Sequence, residues 1–265
     1  MKKYLGYLPT DYQLPYSKYY RESVVAPPGF VLEGLSKSPY PAGTITALTD
    51  VAQLANPDYL PIETGYSLET DGSICVAVLT NMPRVLPEMW EWWFGWHGCR
   101  ADRYKLWHPK AHLDARWKDG LDDENYLNRT SHIEEYIGGS LEKAAIQFVA
   151  PATLGIQPVA SAVVNPSVFI CARVGFSQIP LDIGYLVHQI RTVEGGSEMR
   201  SRFWIGGQHI RLRGDNLFFN SISKAIQRFK KISAHQAESL LTHCSEEMNH
   251  LAAFLPELYQ EFNRH

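Results

Sequence analysis

From about residue 130 to residue 213 the chain alternates apolar and polar residues at period two, with glycine-rich turns between the runs. The segments SHIEEYIGG, KAAIQFVA, SVFICARV, DIGYLVHQIRTV and EMRSRFWIGG follow one another, and Glu194-Gly195-Gly196-Ser197 joins the last two. Period-two runs joined by short glycine turns read as β-hairpins, and neighbouring strands joined this way make an antiparallel sheet. Residues 233–263 then switch to a helical period. Ser233 is the candidate N-cap, and Pro256 either bends or divides the helix. A one-sided sheet followed by one long amphipathic helix can bury both apolar faces by curling the sheet around the helix. The expectation is an α+β fold with a curved antiparallel sheet around a C-terminal helix. A cavity between the two layers is a usual place for a ligand.

The remainder of the chain is less regular. Residues 1–45 are rich in Pro, Tyr and Gly and show no sustained period, so they read as an irregular arm anchored on the body. The division expected is an arm and irregular segment over 1–80 and a catalytic body over 81–265. These two parts can also form one continuous domain. Residues 82–97, MPRVLPEMWEWWFGWH, read as a helix with Pro87 in its first turn, and Trp90, Trp93 and Phe94 share a face. Net charge is −3 and no Lys/Arg-rich run occurs, so nothing points to nucleic acid. No apolar run reaches about 18 residues, so no membrane span is expected. The N-terminus lacks an apolar core of the signal-peptide kind. The four cysteines, Cys75, Cys99, Cys171 and Cys244, include no C-x-x-C pair and read as reduced thiols, which suggests the cytoplasm.

Several polar residues fall where apolar ones are expected. On the last helix Leu240, His243, Glu247, Leu251, Phe254 and Leu258 recur at steps of three or four. This puts His243 and Glu247 one turn apart in an apolar stripe. A bare carboxylate there costs several kcal/mol unless it is paired, protonated or metal-bound. A His-x-x-x-Glu pair can supply two ligands of a catalytic zinc, but a salt-bridged pair at the edge of the stripe has the same pattern. In SHIEEYIGG, Glu135 lies between Ile133 and Ile137 on one face. Glu142, in line with Ala144, Ile146 and Phe148, is its rival. His188 alternates with Leu186 and Ile190, opposite the apolar face of Met199, Phe203 and Ile205. It therefore points inward, either as a satisfied core histidine or as a general acid–base. His108 and His112 are spaced like a helical clamp, but Pro109 disfavours helix at His108.

The motifs RYKLWHPKAH, SHIEEYIGG, GGSEMRSRFW and HCSEEMNH, in this order, resemble the diacetylphloroglucinol hydrolase/phloretin hydrolase family over roughly residues 80–255. The resemblance implies a helix-grip body like that of START-type lipid-binding domains. It also implies a zinc-dependent enzyme that hydrolyses the C–C bond between a phenolic ring and its acyl group. The implied ligands are His112, Glu135, His243 and Glu247, with Glu142 as the alternative to Glu135. His188 and Tyr104 are the implied catalytic residues. They also form the substrate contacts, together with Trp93, Phe203 and Trp204. His108 becomes a residue that orients a ligand. Where the family carries a second tyrosine this chain has Phe203 or Trp204, and Ala115 stands where a polar residue is expected.

The implied cofactor is Zn2+ and the implied partner is a small-molecule aromatic ketone. A homodimer is compatible with the chain but no residue specifies it. Two other readings stay open at this point. One is a metal-dependent lyase or cyclase acting on another polyketide. The other is a metal-free carrier of aromatic ligands.

Overall fold

The structure, a computed structural model, describes residues 3–121, 125–157, 167–213, 223, 227 and 232–263. Its central feature is one nine-stranded sheet in which every named strand pair is antiparallel. A short hairpin, β1 (Gly65–Leu68) and β2 (Ile74–Pro83), opens it. The chain then crosses through α2 (Pro87–Trp96) and α3 (Ala101–Trp107), which follow the earlier α1 (Gly29–Lys37). It enters the far edge as β3 (His112–Trp117) and returns strand by strand. The return runs through β4 (Thr130–Ile137), β5 (Ser140–Val149), β6 (Ser167–Phe176), β7 (Leu181–Val193) and β8 (Gly196–Ile205). β8 pairs with β2 along all ten residues, and the two-residue β9 (Arg211–Leu212) adds to β7.

The five strands expected from the period-two pattern are β4 to β8. The expected hairpin is present: Val193 pairs with Gly196, and Gly195 adopts a positive φ of 80° in the turn between them. Residue 80 falls inside β2. β1 and β2 of the N-terminal part therefore share the sheet of the body.

The C-terminal segment folds as two helices, α4 (Ala234–Ala252) and α5 (Leu255–Phe262). Ser233 caps α4 as expected, and its hydroxyl accepts from the Gln236 N–H at 3.3 Å while the Gln236 side chain accepts from the Ser233 N–H at 3.0 Å. Pro256 divides the segment because its ring suits the first turn of α5 and would break a continuous helix. α4 lies on the inner face of the sheet against β2 and also reaches β1, β4 and α3. The main core, built from Trp90, Ile170, Met199, Leu241, Met248 and Leu251 among others, fills the space between sheet and helices.

The opposite face of the sheet is also covered. Ile45, Val51 and Leu54 pack there against Cys75, Ala77, Cys171, Val187 and Trp204. Arg200 and Arg202 face that side and are fully buried, held by the Glu63 carboxylate at 2.6 and 2.5 Å.

Candidate metal centre and adjoining cavity

Each side chain of the centre is placed by a local structural rule. α3 ends at Trp107 because Pro109 follows His108, whose backbone has left the helical region at φ −152° and ψ 87°. The chain turns there, with the His108 carbonyl accepting from the Ala111 and His112 N–H groups at 3.1 and 2.8 Å. His112 therefore opens β3, directly opposite Glu135 of β4. Directly opposed residues point to the same face, so the pair projects together toward α4. From α4, His243 and Glu247 point back, one turn apart.

The four side chains meet in the buried interior. The Glu135 Oε2 lies 3.2 Å from the His112 Nε2 and 3.5 Å from the His243 Nε2. The Glu247 Oε2 lies 3.4 and 3.7 Å from the same two nitrogens. His112, His243 and Glu247 each offer a ligand atom, all within 4.8 Å of one another, and Glu135 flanks them. Such a group could hold a metal ion. Both Nε2 atoms are buried and make no aligned hydrogen bond to the carboxylates beside them. The His112 Nδ1 sits 3.0 Å from the Tyr104 carbonyl, which can only accept. Nδ1 thus carries the proton, and in the neutral ring Nε2 offers a lone pair to the centre.

The electrostatics agree with a site built for a cation. Burial by itself would lower His112, but Glu135 and Glu247 outweigh it and raise its pKa to about 9. His243 is likewise raised, against its own burial, by Glu247 and Glu135. Burial would raise Glu135, yet His112 and His243 hold it well below the usual carboxylate range. Two buried carboxylates thus attract positive charge, supplied by protons on the imidazoles or by a bound ion.

Tyr104 braces this centre. Its ring lies flat on His112, with centroids 3.8 Å apart and planes 7° from parallel. Its hydroxyl donates a short hydrogen bond to Glu135. Burial, followed by the nearby Glu135 and Glu247 charges, raises its pKa well above 10 and keeps the hydroxyl protonated. The hydroxyl assigned from the sequence to a substrate oxygen is therefore engaged with Glu135. His108 is beside the centre rather than in it. Its ring stacks on His243 at 5.1 Å, and its Nε2 lies 3.2 Å from the Glu246 carboxylate.

A cavity of about 90 Å³ borders the centre, with Tyr104, Glu135, His243 and Glu247 in its wall. His188 lines it too, with its Nδ1 2.8 Å from the Ser201 hydroxyl across the β7–β8 pair. Burial drops the His188 pKa to about 3, so its ring is neutral. Phe94 stacks on it at 5.9 Å and Phe203 meets it edge-on at 5.7 Å. A larger cavity of about 350 Å³ adjoins and shares Glu135, Ile137, Ile146, Leu186, Phe203 and Leu240 with the first. Glu142, opposite Glu135 on β5, lines only this second space. Of the two glutamates, Glu135 is the one placed beside the imidazoles.

Two expected substrate contacts, Trp93 and Trp204, do not line the 90 Å³ cavity. Trp204 lies on the opposite sheet face, where its indole N–H donates to the Thr46 carbonyl at 2.9 Å, because alternation turns it away from Phe203. Trp93 is fully buried behind the cavity wall, and Phe94 and His97 take the lining positions. Sequence reasoning missed His97. It lies four residues after Trp93, and its Nδ1 is 2.7 Å from the Trp93 carbonyl. Burial lowers its pKa to about 3.

Residues 45–260 match the family model described as the DAPG hydrolase PhiG domain. A 2,4-diacetylphloroglucinol hydrolase from a Pseudomonas species is 29% identical over 265 residues, covering 94% of this chain and 88% of the relative. The enzyme of the same name from Pseudomonas protegens is also 29% identical, covering 94% and 84%. A phloretin hydrolase from Eubacterium ramulus is 28% identical over 269 residues, covering 97% and 93%. With the family model matching most of its length, the chain belongs to the DAPG hydrolase family.

Proposed function

We propose that this protein is a zinc-dependent hydrolase that cleaves the C–C bond between a phenolic, phloroglucinol-type ring and its acyl substituent. One observation carries the reading. Two buried imidazole nitrogens without aligned partners are flanked by two buried carboxylates, at the wall of a largely apolar cavity. Family membership supplies the substrate class, because the named relatives act on 2,4-diacetylphloroglucinol and phloretin. The sheet wrapped against α4 supports a helix-grip reading of the fold.

In this account His112, Glu135, His243 and Glu247 hold the zinc, and two carboxylates balance its charge. Bound there, zinc would supply Lewis acidity toward the acyl carbonyl and make water a better nucleophile at neutral pH. Tyr104 fixes the Glu135 carboxylate through its hydroxyl and His112 through its carbonyl and its ring. His188, neutral and oriented by Ser201, manages the proton. Water contributes its oxygen to the acyl carbon and a proton to the ring carbon, and His188 relays that proton. The acyl–aryl bond breaks, and a carboxylic acid and the deacylated phenol leave. The apolar walls shared by the two cavities suit an aromatic ketone.

Four cysteines outside disulfides fit a reducing cytoplasm. Among the described residues no helix is long and apolar enough to cross a membrane. The test is a screen of acylphenols that differ in ring hydroxylation and acyl length, with detection of the released acid. Acid release from a phloroglucinol-type ketone is expected. A protein that binds these ketones tightly and releases no acid is a carrier, and the reading fails.

A further inference from the structure

The cavity wall holds a third histidine, His97, which the mechanism above does not use. His97 follows α2, and its ring is held from both sides. Trp93 stacks on it with centroids 5.0 Å apart and planes at 16°, and Tyr104 lies at 5.7 Å and 19°. Trp107 closes the edge at 5.2 Å and 71°. The ring therefore has one orientation. Its Nδ1 is 2.7 Å from the Trp93 carbonyl oxygen. A carbonyl oxygen only accepts, so Nδ1 carries the proton, and in the neutral ring Nε2 is a bare acceptor. That nitrogen has no protein partner among the described residues. His97 lines the 90 Å³ cavity. The remainder of that wall is largely apolar, with Phe94, Trp107, Ile133, Phe148, Leu186 and Phe203.

We propose that His97 is a substrate-contacting residue whose Nε2 accepts the proton of a ring hydroxyl of the bound acylphenol. The inference rests on the acylphenol reading above. It adds a proton acceptor for the phenol, distinct from the relay through His188. Cleavage requires the ring carbon bearing the acyl group to take up a proton. If the ring hydroxyl gives up its own proton to Nε2 as this happens, the ring becomes a neutral keto tautomer instead of a cation. When the acyl–aryl bond breaks, its electron pair returns to the ring and restores aromaticity. The phenolic oxygen then takes its proton back from His97, so His97 ends each cycle unchanged.

Two substitutions separate the nitrogens. His97→Asn places an amide N–H near the Nδ1 position and offers nothing at the Nε2 position. His97→Gln reaches the Nε2 position with an amide oxygen. The experiment measures zinc content, kcat and KM on an acylphloroglucinol. It repeats them on 2,4-dihydroxy- and 2,6-dihydroxyacetophenone, each of which lacks one ring hydroxyl. Both variants should keep stoichiometric zinc. His97→Asn should lose roughly ten- to hundredfold in kcat/KM on the acylphloroglucinol, and His97→Gln should retain more of it. On the dihydroxy ketone that lacks the contacted hydroxyl, wild type and His97→Asn should differ little.

Equal losses on all three ketones, or no loss on any, overturn the proposal. Binding of phloroglucinol and resorcinol, followed by tryptophan fluorescence, gives a readout independent of turnover. His97→Asn should weaken phloroglucinol more than resorcinol. If wild type cleaves no acylphenol but shows this binding contrast, the hydrolase reading fails and the contact stands. If the contrast is absent, the contact fails whatever the turnover.

Discussion

His112 concentrates the chemistry of the centre at the scale of single residues. One of its nitrogens is tied to a backbone carbonyl, and the other faces two carboxylates. His112→Ala should therefore abolish stoichiometric zinc, as measured by elemental analysis. His108→Ala should at most weaken it, since His108 stacks on His243 without entering the group. If both variants lose zinc alike, His108 and His112 act as a pair and the ligand assignment is wrong. His188→Ala should retain zinc and lose about a hundred- to ten-thousandfold in kcat, the range expected for a lost proton relay.

Without metal the centre also makes a pH prediction. His112 is raised from 6.5 to about 9, so its contribution to stability is complete below about pH 6.5 and disappears as pH climbs through about 9. Chelator-treated protein should lose melting temperature between pH 7 and pH 10. Zinc-loaded protein should lose less over the same range. Similar curves with and without metal would contradict the site. Much of this centre was legible in the chain. His243 and Glu247 stand out as polar residues in an apolar stripe, and alternation turns His188 inward, whereas alternation alone leaves the face of Glu135 open and the family resemblance selects it. His112 required the family resemblance, because nothing local distinguishes it from His108 except Pro109. His97 was hidden because its aromatic neighbours made the whole segment read as plain core.

Two short helices and one long one carry the site against the sheet. Gly98 sits where α2 gives way to α3, and a Cβ there would run into the Trp117 indole. Gly98→Ala should force the helices off the sheet edge and cost about 1–3 kcal/mol, the usual cost of overpacking. Both Tyr104 and His97 flank this joint, so turnover should fall with stability. A Gly98→Ala protein with unchanged melting temperature and activity would show that the joint tolerates the shift. At this scale the chain announced β4 to β8 and α4 because each repeats apolar and polar residues at the period of its element, even in β8, where both faces are buried. β2 was not announced. Its residues Ile74–Val78 are buried on both faces, so it reads as an apolar run without alternation. β3 was masked by the bulge between His112 and Asp114, which breaks its register.

Across the whole molecule the sheet works in two directions. Its inner face and α4 enclose the centre and the two cavities. Its outer face is covered in part by residues 45–63, with Glu63 neutralising two fully buried arginines. No periodicity reveals that outer layer, because its segments are short 3-10 turns and loops whose role appears only when the sheet is present. The central claim concerns zinc and one carbon–carbon bond. The most direct test follows an acylphloroglucinol by chromatography with zinc-loaded protein and with the same protein after chelation. The account predicts equal amounts of carboxylic acid and deacylated phenol from the loaded protein, none after chelation, and recovery when zinc is returned. Release at the same rate from protein shown by elemental analysis to be metal-free would contradict it, as would no release from the loaded protein.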